Sequence, residues 1–168
     1  MLVAAMNPSP SGDFYDPSDF NGDSEFAVKR YLSKISGPLM DRIDLHIEVT
    51  PVPYEQLSDT RKGEPSSMIR GRVQKARQYQ IIRFKGENGV YTNAQMSPKQ
   101  IDEYCVIDDK GKLLMKNAME KLKLSARSYA RILKVARTIA DLDNSESIQN
   151  NHLAEAIQYR SLDREGWL

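Results

Sequence analysis

Much of what a self-contained enzyme needs is missing from these 168 residues. Cysteine occurs once, at Cys105, which excludes an internal disulfide framework and any cysteine-rich metal site. Histidine occurs twice, at His46 and His152. His46 alternates with apolar neighbours and His152 stands at a helix start, so both read as structural. Neither a G-x-x-x-x-G-K-[ST] phosphate loop nor an H-E-x-x-H, C-x-x-C or G-x-S-x-G motif is present, so a complete hydrolase site is not expected. No apolar run approaches the roughly 20 residues that span a bilayer. The first residues also lack the basic region and cleavage pattern of a signal peptide. A cytoplasmic protein with no membrane partner is the resulting expectation. What is present is ordinary for a globular chain, with 40% hydrophobic and 28% charged residues, enough for one domain or two small subdomains.

Charge is balanced only in total, at +1. Counted along the chain, residues 1–60 carry −6, residues 61–137 carry +11 and residues 138–168 carry −4. A concentrated basic segment is the electrostatic footprint of a polyanion partner, with Arg70, Arg72, Lys75 and Arg77 as the candidate nucleic-acid contacts. The alternative, that these are solvated faces of amphipathic helices, stays open.

Leu2 to Met6 is a continuous apolar run ending at Asn7-Pro8, the pattern of a strand buried on both faces of a parallel sheet. Such a strand needs neighbours on both sides, so the sequence is expected to be the back part of a longer protein. Residues 8–25 read as a long irregular loop, and Glu25 to Ile35 as a short helix. Gly37-Pro38 stops that helix. Ile43, Leu45, Ile47 and Val49 then alternate with polar residues, the period of a half-buried strand. Arg42, between Asp41 and Asp44, stands where that strand begins, either as a local ion-pair partner or as a finger offered to an anion.

A polar linker, Ser58 to Pro65, sets a subdomain boundary at about residue 60. Beyond it the period becomes helical. Ser66-Ser67 can cap a helix with Ile69, Val73, Ala76 and Gln80 on one face. Ser97-Pro98 opens a second helix running to about Cys105, and Asp108 or Asp109 starts a third. Ser125 caps the strongest helix, Ala126 to about Leu142, striped by Tyr129, Leu133, Ala136 and Ala140. A last helix begins near residues 149–151.

Four stretches together carry a family resemblance: LVAAMNP at 2–8, YLSKISGPLMDRIDLH at 31–46, LSARSYARILKVARTIADL at 124–142 and HLAEAIQYR at 152–160. The sequence resembles the last third of the Mg-chelatase-like AAA+ ATPases of the ComM/YifB type. The resemblance implies a mainly α chain. Residues 1–60 would be the remnant of an AAA+ α/β core with two parallel strands, and residues 61–168 a helical lid bundle. The Walker A and B segments would lie upstream of Met1.

On that resemblance Asn7 takes the sensor 1 position, Arg42 the arginine finger and Arg127 the sensor 2 position. Read without it, Asn7 caps a strand end, Arg42 pairs with Asp41 or Asp44, and Arg127 is a surface arginine beside Arg131. Where such proteins commonly carry a Cys-Pro-Cys-Gly cluster, this chain has Ser9-Pro10-Ser11-Gly12. Hydroxyls do not replace thiolates as zinc ligands, so no structural metal is expected. The resemblance further implies ATP and Mg²⁺ as cofactors of the longer protein, none held by this chain alone, and a homo-oligomeric ring, expected as a hexamer. It also implies action on DNA, as a helicase or branch-migration motor in recombination or natural transformation. A metal-insertion ATPase subunit and a non-enzymatic helical interaction module remain as alternatives.

Overall fold

The computed structural model describes residues 1–12, 23–49, 52 and 63–160. Among these residues the chain forms seven helices and one 3₁₀ turn. They are α1 (Glu25–Leu32), α2 (Gly37–Met40), α3 (Ser66–Arg83), the 3₁₀ turn Asn93–Gln95, α4 (Pro98–Tyr104), α5 (Asp109–Lys121), α6 (Ala126–Leu142) and α7 (Asn150–Gln158). The chain is mainly α, as the helical periodicity requires. Most of the loop expected at 8–25 and of the linker at 58–65 lies outside the described residues.

Helix starts follow side-chain chemistry. Ser97 Oγ accepts from the Gln100 amide, and the Gln100 side chain accepts from the Ser97 amide, closing a capping box with Pro98 in the first turn. Asp108 caps α5 through the Gly111 amide and Ser125 caps α6 through the Ser128 amide. Two helix ends use a left-handed residue without glycine. Lys123 (φ 50°) follows α5 and Asn144 (φ 58°) follows α6. The next amides turn back to Met119 O at 3.1 Å and Ala140 O at 2.8 Å, satisfying carbonyls left over in each last turn.

The core lies where α6 meets α7, with α3, α4 and α5 around it. Ile132, Leu133, Ala136 and Ala140 of α6 pack with Leu153 and Ala156 of α7, Met115 of α5, Ile101 of α4 and Phe84 at the end of α3. Full burial of each large apolar side chain contributes about 1.5–3 kcal/mol. A polar knot ties α3 and the 3₁₀ turn to α6. Asp141, 1% exposed, accepts from Arg83 at 2.5 and 2.8 Å, from Asn93 at 2.7 Å and from Arg137 at 3.2 Å. Arg137 also donates to Ser145 O and Glu146 O at 2.6 and 2.8 Å, clamping the α6–α7 turn.

Three expectations are corrected. Neither Leu2–Met6 nor Ile43–Val49 forms a strand among the described residues. A strand exists only through ladder partners, and here Leu2 and Val3 stand 74% and 80% exposed. In the second segment Leu45, Ile47 and Val49 are exposed while His46 is buried, the reverse of the face that the alternation suggested. Ser66 and Ser67 do not cap α3, whose N-cap is Pro65 without a side-chain bond. On α3 only Ala76 and Gln80 of the expected face are buried, and Ile69 and Val73 remain exposed. The helix rests on the bundle through its second half alone.

Candidate functional site

Arg42 stands one residue past the Asp41 C-cap of α2, whose single turn carries Pro38 in its first positions, where a missing N–H is tolerated. The two carboxylates beside it are turned elsewhere. Asp41 Oδ1 accepts from the Ser128 hydroxyl at 3.2 Å, and Asp44 pairs with Arg131. Arg42 is exposed, and its Nη1 makes only a long 3.4 Å bond to Pro38 O. The local ion pair is therefore not what this arginine makes.

Arg127 is exposed in the first turn of α6. That turn contains no acidic residue, so Arg127 faces the positive end of the helix dipole, a placement that costs about 0.3–1 kcal/mol. An anion docked there would relieve both the helix amides and the guanidinium. Arg42 and Arg127 are each next in sequence to one member of the Asp41–Ser128 hydrogen bond. Among the described residues no group of three or more His, Cys, Asp or Glu is placed to hold a metal ion.

Asn7 takes no part in the Arg42 and Arg127 contacts. It is exposed and adjoins the serine turn, where a Cβ added to Gly12 (φ 96°) would lie 3.3 Å from its Nδ2. In that turn Ser9 Oγ, from a buried residue, lies 3.0 Å from Ser11 Oγ and accepts from the Gly12 amide at 3.2 Å. The Ser11 amide donates to Asp23 at 2.8 Å, and this bond holds the Asp23 carboxyl below its ordinary pKa. The turn is thus closed by hydroxyl and carboxylate hydrogen bonds.

The four basic candidates on α3 do not form one patch. Arg70 and Arg77 are seven residues, about two turns, apart and share a side, whereas Arg72 and Lys75 fall on the opposite side. All four are exposed. Arg72 is engaged in a two-bond fork with Glu64, one arm at 2.9 Å. Arg77 reaches Gln80 at 3.0 Å and Tyr91 O at 3.4 Å. His152 is structural, its Nδ1 accepting from the Gln149 amide at 3.0 Å and its Nε2 lying 3.1 Å from Asp143.

With this geometry in place, the family model described as magnesium chelatase, subunit ChlI C-terminal, matches residues 63–160. The chain belongs to that family. The model for magnesium chelatase, subunit ChlI, matches residues 1–57, so both the Arg42 turn and the helical bundle lie within magnesium chelatase matches. Competence protein ComM of Haemophilus influenzae is 43% identical over 97% of this chain, and the uncharacterized protein YifB of Escherichia coli is 40% identical over the same share. An uncharacterized Mycobacterium tuberculosis protein, Rv2897c, is 33% identical over 95% of it. The chain spans 31% of the length of these relatives. Within the family, the α3–α7 bundle is the helical lid.

Sequence reasoning missed the partners of the Arg42 turn. In the sequence Asp41 reads only as a partner of Arg42, and nothing local marks Arg160. Asp41 and Ser128 stand 87 residues apart, and no local pattern links them.

Proposed function

We propose that this chain supplies the arginine-finger, sensor and lid parts of a longer, ring-forming AAA+ ATPase that acts on DNA. The observation that carries the reading is Arg42 itself, exposed at the end of α2 while both neighbouring carboxylates are committed to α6. A guanidinium left available in this way can reach a neighbouring subunit's nucleotide and stabilise charge that develops on the transferring phosphoryl group. Arg127, at a helix N-terminus that favours anions, would grip phosphate and pass nucleotide state to the lid. Asn7 would hold the attacking water in line. ATP with Mg²⁺ is the substrate of the longer protein, and its phosphate cradle and metal ligands would come from parts of that protein other than these residues. A cytoplasmic hexamer fits this role.

DNA as the partner draws on the name of the competence relative and on the basic middle segment. The family description, magnesium chelatase, favours metal insertion as the second reading. Measuring the ATPase rate of the longer protein with and without DNA separates the two. Stimulation by DNA supports the motor. A rate indifferent to single-stranded and duplex DNA at low salt would remove DNA from the proposal.

A further inference from the structure

Arg160, just past the end of α7, is among the largest fully buried side chains among the described residues, at 1% exposure. A guanidinium taken that far from water persists only with its donors engaged. One arm donates to the Ile43 carbonyl and the other to Ser128 Oγ at 3.4 Å, with Asp41 Oδ1 at 3.9 Å. Ser128 in turn donates to Asp41. Two further bonds lie alongside: the His46 amide donates to Tyr159 O at 2.8 Å, and Arg131 pairs with Asp44. Of the six residues from Asp41 to His46, four are therefore bonded to α6 or to the end of α7. Arg42 is held between them with its own side chain exposed.

We propose that Arg160 is a positioning residue: it latches the Arg42 turn onto α6 and α7, so that Arg42 and Arg127 travel as one body with the helical lid. The Arg42 turn lies in the half of the chain that matches the ChlI model. Mechanically it belongs to the bundle beyond residue 63. A lid displacement of any size would then move both arginines together, and nucleotide contacts made by one would be felt by the other. Lysine reproduces the latch only in part, because a point charge on a flexible stem reaches one acceptor where a planar fork spans two. The link from latch to turnover rests on the reading of Arg42 given above; the latch itself does not.

Amide hydrogen exchange on the 168-residue chain tests the latch directly. The His46 amide should exchange at least tenfold more slowly than its unstructured rate in the unmodified chain. Arg160→Gln should return it to that rate while Leu133 and Ala136 in α6 keep their protection. An unprotected His46 amide in the unmodified chain, or unchanged protection in Arg160→Gln, would overturn the latch. Should Arg160→Gln fail to fold, Ser128→Ala removes a single hydroxyl and is read the same way. In the longer ATPase, Arg160→Gln should lower kcat at least tenfold with KM for ATP unchanged, and Arg160→Lys should recover part of it. A loosened turn with normal kcat would refute the positioning role while leaving the latch standing.

Discussion

Asp141→Asn removes the only carboxylate of the buried knot while keeping its shape. It leaves Arg137, whose side chain is 3% exposed, and Arg83, at 15%, facing one another without a counter-charge. Breaking a buried pair from one side costs about 3–5 kcal/mol. The retained Asn amide and Arg83's partial exposure put the expectation at the lower end, about 3 kcal/mol. For a chain of this size that corresponds to a fall in Tm of roughly 6–12 °C, measurable by circular dichroism of the helical signal. The pH dependence carries its own sign. Burial raises the Asp141 pKa, but the hydrogen bonds from Arg83 and Asn93, with the charges of Arg83 and Arg137, outweigh it and hold the carboxyl below its ordinary value. The unfolded carboxyl titrates near about 3.9. The stabilisation is therefore fully present above that pH and is lost as pH falls through the lower folded value. The gap between wild type and Asp141→Asn should close in acid. A loss below about 1 kcal/mol at pH 7, or a gap that persists in acid, would refute the knot as a stabilising element.

Burial pushes the Cys105 thiol up to about 11, so thiol reagents at pH 8 should label it only when the chain unfolds; rapid labelling of the native chain would contradict the packing. Ser125→Ala should cost about 1 kcal/mol by removing the α6 cap, read as a shift in urea midpoint. If α3 meets DNA, reversing one same-side pair, Arg70 with Arg77 or Arg72 with Lys75, should flatten the salt slope by about two phosphate contacts while the other pair does little. Equal, negligible effects of both pairs in fluorescence anisotropy would make these residues solvated faces.

The helical two-thirds could be read because its signals are local. Ser97, Asp108 and Ser125 each cap the amide three residues on, and within the α6 stripe Leu133, Ala136 and Ala140 are buried while Tyr129 stays exposed. The strands could not, since alternation at Ile43–Val49 states a preference that only a neighbouring strand can realise. The α3 face misled for a related reason. Periodicity shows which residues share a side, and whether that side is covered depends on how far the bundle extends beneath it. Arg42 is legible from its place between Asp41 and Asp44 just past the Gly37-Pro38 turn, Arg127 only through family resemblance, and their supports, Asp41 with Ser128 and Arg160 with Ile43, join segments far apart in the chain. Asp141 shows the same limit: its i−4 partner Arg137 is visible in the sequence, but Arg83, 58 residues away, is not.

Whether Arg42 acts on a phosphate in the transition state is decided by Arg42→Ala in the longer ATPase, with kcat and nucleotide affinity measured together. Because the side chain holds only a 3.4 Å bond to Pro38 O, its removal should leave folding and ATP affinity unchanged. It should lower kcat by about 10³-fold or more, the range of an arginine finger. An unchanged kcat, or an equal loss of affinity and turnover, would rule out Arg42 as the finger.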